Sequence, residues 1–204
     1  TYVIAILIAA GFGSMAYYFY RKTRLMEREH AQLTGQAQPA GYLESEREKV
    51  TVDNLRIGDI VSYLGSDYMV EGHLEYDEDG WTWDTFMLKD GDDVKWLSVE
   101  WDDELEVVLW TELEDFEIEA HPPETIEYQG EVFVREESGG ASVTRHGQTR
   151  RRNDVRMEYF EYEGSNERLL SVEKWGSDIE VSLGQPLNPY GLEIYPGSGS
   201  SFGG

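Results

Sequence analysis

The residues most able to do chemistry in this chain are carboxylates, tryptophans and one run of arginines. Asp77-Glu78-Asp79-Gly80 and Asp90-Gly91-Asp92-Asp93 are dense enough in oxygen ligands to suggest Ca²⁺ or Mg²⁺. Neither has the full spacing of a calcium loop. Asp-Gly is also what a tight hairpin turn requires, so both clusters read as turns. With 41 acidic residues in the chain, finding two carboxylates near one another says little about glycoside hydrolysis. The six tryptophans are more informative. Trp81 and Trp83 fall on one face of a strand, and Trp96, Trp101, Trp110 and Trp175 follow in similar segments. Aromatic rows of this kind fill small β cores, and where they border a groove they bind sugars, peptides or cations. Trp81, Trp83 and Trp96 are the candidate groove residues. Arg145, Arg150, Arg151, Arg152 and Arg156 stand out against the acidic background as a candidate contact with anionic lipid or an acidic partner, or as pairing with the protein's own carboxylates within the chain or in a neighbouring copy. The absence of cysteine excludes disulfides, thiol catalysis and cysteine metal sites. His30, His73, His121 and His146 show no ligand spacing, so no metal site and no cofactor is expected. No catalytic residue is assigned, and the chain is not expected to be an enzyme.

The elements that must position these residues are strands. Asp59-Ile60-Val61-Ser62-Tyr63-Leu64, Trp81-Thr82-Trp83, Leu105-Glu106-Val107-Val108-Leu109-Trp110 and Met157-Glu158-Tyr159-Phe160-Glu161-Tyr162 show two-residue alternation. Turn signals separate them: Gly65-Ser66-Asp67, Asp79-Gly80, Asp90-Gly91-Asp92, Gly130, Gly139-Gly140, Gly164-Ser165-Asn166 and Gly176-Ser177-Asp178. The expected fold is therefore all-β, a sandwich or barrel, with two similar packed β-units, plus one N-terminal transmembrane α-helix. The two units follow from an internal repeat. Tyr63-Leu64-Gly65 parallels Tyr128-Gln129-Gly130, Trp96 to Glu100 parallels Leu169 to Glu173, and Leu105-Glu106-Val107 parallels Ile179-Glu180-Val181. The shift from the first offset to the other two places an insertion around Gly139 to Asn153. The expected organisation is a helix and its extension over 1–34, a polar linker over 35–49, β-units over 50–120 and 121–196, and a Gly/Ser tail over 197–204.

The helix rests on Tyr2 to Tyr20, a run with no charge and no proline, followed by Arg21, Lys22 and Arg24. At ~1.5 Å per residue it extends about 28 Å, close to the ~30 Å apolar thickness of a bilayer. Ala5, Ala9, Gly13 and Ala16 form a stripe of small residues suited to helix–helix packing. Tyr17, Tyr18, Tyr20, Arg21, Lys22 and Arg24 are placed at the membrane interface. Positive residues on the C-terminal side put that side in the cytoplasm, across the cell (inner) membrane, with the N-terminus outside.

The net charge is −24, yet residues 1–34 carry +2. The acidic remainder is repelled by nucleic acid, and a basic protein is the partner it would attract.

The words Tyr68-Met69-Val70-Glu71-Gly72, Asp79-Gly80-Trp81-Thr82-Trp83, Trp96-Leu97-Ser98-Val99-Glu100 and Leu109-Trp110-Thr111-Glu112-Leu113 resemble the DUF4178 family, a bacterial domain of unknown function. Leu170-Ser171-Val172-Glu173 and Ile194-Tyr195-Pro196 continue the resemblance over roughly residues 50–196. It implies a single-span membrane protein with no established activity. It also implies an envelope or stress setting, because relatives are often encoded beside small membrane proteins and polyamine-synthase-like proteins. The leading expectation is a membrane-anchored, non-enzymatic accessory or scaffold subunit. Its helix would pack with other membrane subunits or with itself, and its acidic β-domain would dock a partner. The alternatives are a ligand-binding or sensor module for a cationic small molecule such as a polyamine, and a pilin-like fibre subunit.

Overall fold

The computed structural model describes residues 50–101, 104–150 and 155–197. The apolar run from Tyr2 to Tyr20, with its packing stripe and interfacial residues, lies outside these residues. Among the described residues no helix is long and apolar enough to cross a membrane.

Eleven strands form one antiparallel sheet: β1 (Ile60–Tyr63), β2 (Ser66–Glu78), β3 (Trp81–Asp90), β4 (Asp93–Trp101), β5 (Leu105–Glu112), β6 (Thr125–Tyr128), β7 (Glu131–Gly147), β8 (Arg156–Glu163), β9 (Leu169–Trp175), β10 (Asp178–Pro186) and β11 (Glu193–Tyr195). Their order is β11-β1-β2-β3-β4-β5-β10-β9-β8-β7-β6, and a further pairing of β2 with β7 closes the eight central strands into a barrel. Closure pairs the edges of the eight barrel strands with one another, and only the short strands β11 and β6 remain as ends of the described sheet.

Two long strands make closure possible, because each serves two partners in turn. The first residues of β2, Ser66 to Met69, pair with β1, and Gly72 to Asp77 pair with Ser142 to Gly147 of β7. The first residues of β7, Glu131 to Val134, pair with β6. Both strands change register between these duties, between Val70 and Gly72 in β2 and between Arg135 and Glu137 in β7. A bulge bends a strand and increases its twist, which redirects it from one neighbour to the next. At Gly72 a Cβ would collide with the backbone of Gln148, so the crossing of β2 by the end of β7 depends on this glycine. The runs β1–β5 and β6–β10 share one pattern, a short strand, a long bulged strand and three further strands, and the runs meet at β5–β10 and β2–β7.

Three apolar clusters fill this arrangement. One covers the outer face of the first half, with Val61, Val70, Phe86, Leu88, Leu97, Val107 and Leu109. Its counterpart on the second half contains Ile126, Phe133, Tyr162, Leu170, Val172 and Val181. The third contains Leu74, Tyr76, Met87, Trp96, Ala141, Val143, Met157 and Trp175, which come from strands all around the ring and meet inside the barrel. Central strands are thus buried on both faces, and Thr85 to Leu88 are four consecutive buried residues. Asp59 is also buried, where it accepts hydrogen bonds from the backbone N–H groups of Arg56 (2.8 Å) and Gly197 (2.9 Å).

Candidate functional site: an acidic, tryptophan-walled barrel mouth

Above the inner apolar layer the barrel opens into a cavity of about 480 Å³. Alternation explains its lining, because every second residue of a barrel strand points inward. From β3 this rule presents Trp81, Trp83 and Thr85; from β4, Trp96, Ser98 and Glu100; from β5, Glu106 and Trp110. The other half supplies Glu137 from β7, Tyr159 and Glu161 from β8, Ser171 and Glu173 from β9, and Ser182 from β10. Glu78, at the end of β2, completes a set of six glutamates and four tryptophans.

The aromatic wall is fixed by packing and by hydrogen bonds. Trp96 and Trp110 are register partners across β4 and β5. The Trp110 indole donates to Ser98 Oγ at 2.8 Å, and it lies against Gly184, where a Cβ would occupy the ring position. Trp83 stacks on Tyr76 with centroids 4.8 Å apart and meets Tyr159 edge-on at 5.7 Å. Trp81 donates its indole N–H to Glu100.

The carboxylates divide into held and crowded groups. Glu78 is held: the backbone N–H of Gly140 donates to Oε1 at 3.0 Å, and the Tyr159 hydroxyl donates to Oε2. Burial raises the Tyr159 pKa well above its ordinary value, with the hydrogen bond to Glu78 and the charges of Glu137, Glu78 and Glu161 adding to it, so the phenol stays protonated as a donor. Glu161 is crowded. Its pKa is pushed up to about 7, first by desolvation and then by the charges of Glu100, Glu137, Glu173 and Glu106. Its side chain can still be reached by water, because the cavity is open, yet protein walls surround it. Glu161 and Glu173 flank Tyr159 across β8 and β9, while Glu100 and Glu106 face each other across β4 and β5.

A cavity of this kind attracts positive charge. Indole faces attract cations through their quadrupoles, and clustered carboxylates supply net negative potential inside a low-dielectric wall. The described residues lining it include no lysine, arginine or histidine.

Of the candidates read from sequence, Trp81, Trp83 and Trp96 lie together on the wall of this cavity, whose lining comes from both halves of the barrel. Trp110, Tyr159 and the glutamate cluster were not singled out. The available signal was that Glu100, Glu106, Glu161 and Glu173 share strand parity with inward aromatic residues. Three of the five arginines lie among the described residues. Arg145 is half-buried on β7 with its guanidinium 4.9 Å over the Trp175 ring, Arg150 is exposed after β7, and Arg156 is exposed on β8 opposite Ser142. Arg151 and Arg152 lie outside the described residues. Both Asp-Gly clusters form hairpin turns, with Asp77 accepting from the Gly80 N–H at 2.9 Å and Asp93 accepting from Tyr68.

The profile of the family described as Domain of unknown function (DUF4178) matches residues 56–189. Uncharacterized proteins of Mycobacterium bovis and Mycobacterium tuberculosis are 33% identical to this chain over 147 residues, 68% of its length and 70% of theirs. No solved structure matches it.

Proposed function

The chain belongs to the DUF4178 family, whose description assigns no activity, and from its own cavity we propose that it binds a polyvalent organic cation of the polyamine class in the barrel mouth. The observation that carries this reading is the convergence of four tryptophans and six glutamates on one cavity of about 480 Å³. Each ammonium group placed over an indole face gains about 0.5–2 kcal/mol, more as it is desolvated. A single cation would satisfy only part of so broad a carboxylate cluster, whereas an extended amine with spaced charges can meet several of its members. Binding beside Glu161 favours its ionised form, so uptake of the cation near neutral pH is coupled to release of a proton.

Titration of the full chain with spermidine, followed calorimetrically and by tryptophan fluorescence, tests the proposal. Saturable binding that is weakened at least tenfold by Trp83→Ala and by Glu100→Gln is the expected result. Absence of saturation, or equal binding by wild type and both cavity variants, overturns it.

We further propose that this module is tethered to the inner membrane through the apolar segment Tyr2 to Tyr20, with the barrel on the cytoplasmic side. Protease added to intact cells should then leave the barrel undigested, and ready digestion would place it on the other face.

A further inference from the structure

His73 and His146 are 73 positions apart in the sequence, but they are register partners across the β2–β7 seam that closes the barrel. Both point to the outer face, away from the acidic mouth, because inward positions on these strands belong to Leu74, Tyr76, Val143 and Arg145. Glu75 lies two residues beyond His73 on the same face. One ligand atom from each of His73, Glu75 and His146 lies within 4.8 Å of the others. We propose that these three residues form a binding site for a divalent transition-metal ion of the zinc class.

Three features argue for a built site. The donors are two imidazoles and one carboxylate, a set that suits Zn²⁺ and leaves one position of a tetrahedral shell open to water. The geometry is close to what such a shell needs: His146 Nε2 is 3.7 Å from Glu75 Oε2, while metal–ligand bonds of about 2.0–2.2 Å put neighbouring ligand atoms roughly 3.4 Å apart. Lastly, His73 is already oriented. Its ring stacks on Phe86 with centroids 4.6 Å apart and an 11° interplanar angle, and lies 5.4 Å from the His146 ring on a 27° tilt. Asp84 on β3, the register partner of Glu75, holds its Nε2 at 2.8 Å. A carboxylate on one nitrogen of a ligating histidine fixes the ring's orientation, as outer-shell partners of metal sites do, and leaves Nδ1 of His73 as the nitrogen for the ion. The His73 side chain is only 19% exposed, whereas those of His146 and Glu75 are 48% and 42% exposed, so an ion can enter from solvent.

The position gives the ion a structural consequence. β2 belongs to the first half of the barrel and β7 to the second, so a bound ion would fasten the two halves at the point of closure. Metal that binds only the folded state stabilises it by mass action.

The test uses the full chain, freed of metal with a chelator and titrated with Zn²⁺ against a chromophoric competitor in a large excess of Mg²⁺, which occupies the acidic surface. One saturable site is expected, together with a rise in melting temperature. Replacing either histidine (His73→Ala, His146→Ala) should weaken it at least tenfold, and Asp84→Asn, which removes only the outer partner, should weaken it about tenfold or more. Because His146 is exposed, His146→Ala should retain the fold, as checked by circular dichroism. Glu75→Gln provides a second, nearly isosteric variant. With Co²⁺ in place of Zn²⁺, visible d–d absorption should appear in wild type and vanish in His146→Ala. Either no saturable site, or equal affinity in wild type, His146→Ala and Glu75→Gln, overturns the proposal. The cavity variant Trp83→Ala should bind the metal as wild type does, and this separates the site from the barrel mouth.

Discussion

Removing the charge of Glu161 should stabilise the protein, and only above a defined pH. In the folded chain its pKa rises from 4.5 to about 7. In the unfolded chain the carboxyl returns to its ordinary value. Below about pH 4.5 both states hold the proton and the group costs nothing. Between about pH 4.5 and 7 the folded state holds a proton that the unfolded state has lost, so stability falls as pH rises. Above about pH 7 the cost is complete. At about 1.36 kcal/mol per unit the shift corresponds to about 3.4 kcal/mol as an upper limit. Water in the open mouth screens much of this, and about 1–2 kcal/mol is the realistic expectation. Glu161→Gln keeps the shape and removes the titration. Its urea midpoint should exceed that of wild type by roughly 0.5–1 M at about pH 8, and the difference should close as pH falls toward about 4.5. The other acidic groups cancel in the comparison to the extent that the substitution leaves them undisturbed. Urea unfolding of both proteins across this pH range, followed by tryptophan fluorescence, measures the difference curve. A constant difference, or one that grows toward acid, would refute the crowding of Glu161 by Glu100, Glu106, Glu137 and Glu173.

Trp175→Ala should be the most damaging single change within the inner apolar layer. The residue is 1% exposed beside Tyr76 and under the Arg145 guanidinium, and a loss of about 3–5 kcal/mol in urea unfolding is expected. Gly184→Ala should cost about 1–3 kcal/mol and shift the fluorescence of Trp110, because the new methyl group would meet its ring. If the apolar segment Tyr2 to Tyr20 forms the proposed membrane helix, Gly13→Leu should weaken helix association, measured as a shift to smaller species on native gels in mild detergent.

Much of the local structure was legible because it rests on short-range rules. Alternation marked β1, β5 and β8. The turn positions Gly65, Gly80, Gly91, Gly130 and Gly176 take positive φ, as the Gly-containing turn signals implied, whereas Gly139-Gly140 is no turn: it lies within β7, where a Cβ on Gly139 would meet the Glu78 and Tyr159 side chains. The words shared by the two parts of the chain fall at the β1–β2 and β6–β7 turns, on β4 and β9, and on β5 and β10. The direction in which a tryptophan faces was not legible. Strands such as β3 bury both faces, so alternation separates two sets of residues without saying which set lies inside.

Sequence alone determined strands such as β1, β5 and β8, most of the turns, the acidic balance of the body and the apolar segment ahead of it, since each depends on neighbours within a few residues. Tertiary structure decided the rest. Bulges in β2 and β7 turn two hairpin strands toward each other, and their pairing sets the inside of the barrel. That closure gathers glutamates from strands β2, β4, β5, β7, β8 and β9 around Glu161, and it brings His73 against His146. Potential and ligand geometry depend on distance in space, and only the paired register converts separations of tens of residues into a few ångströms.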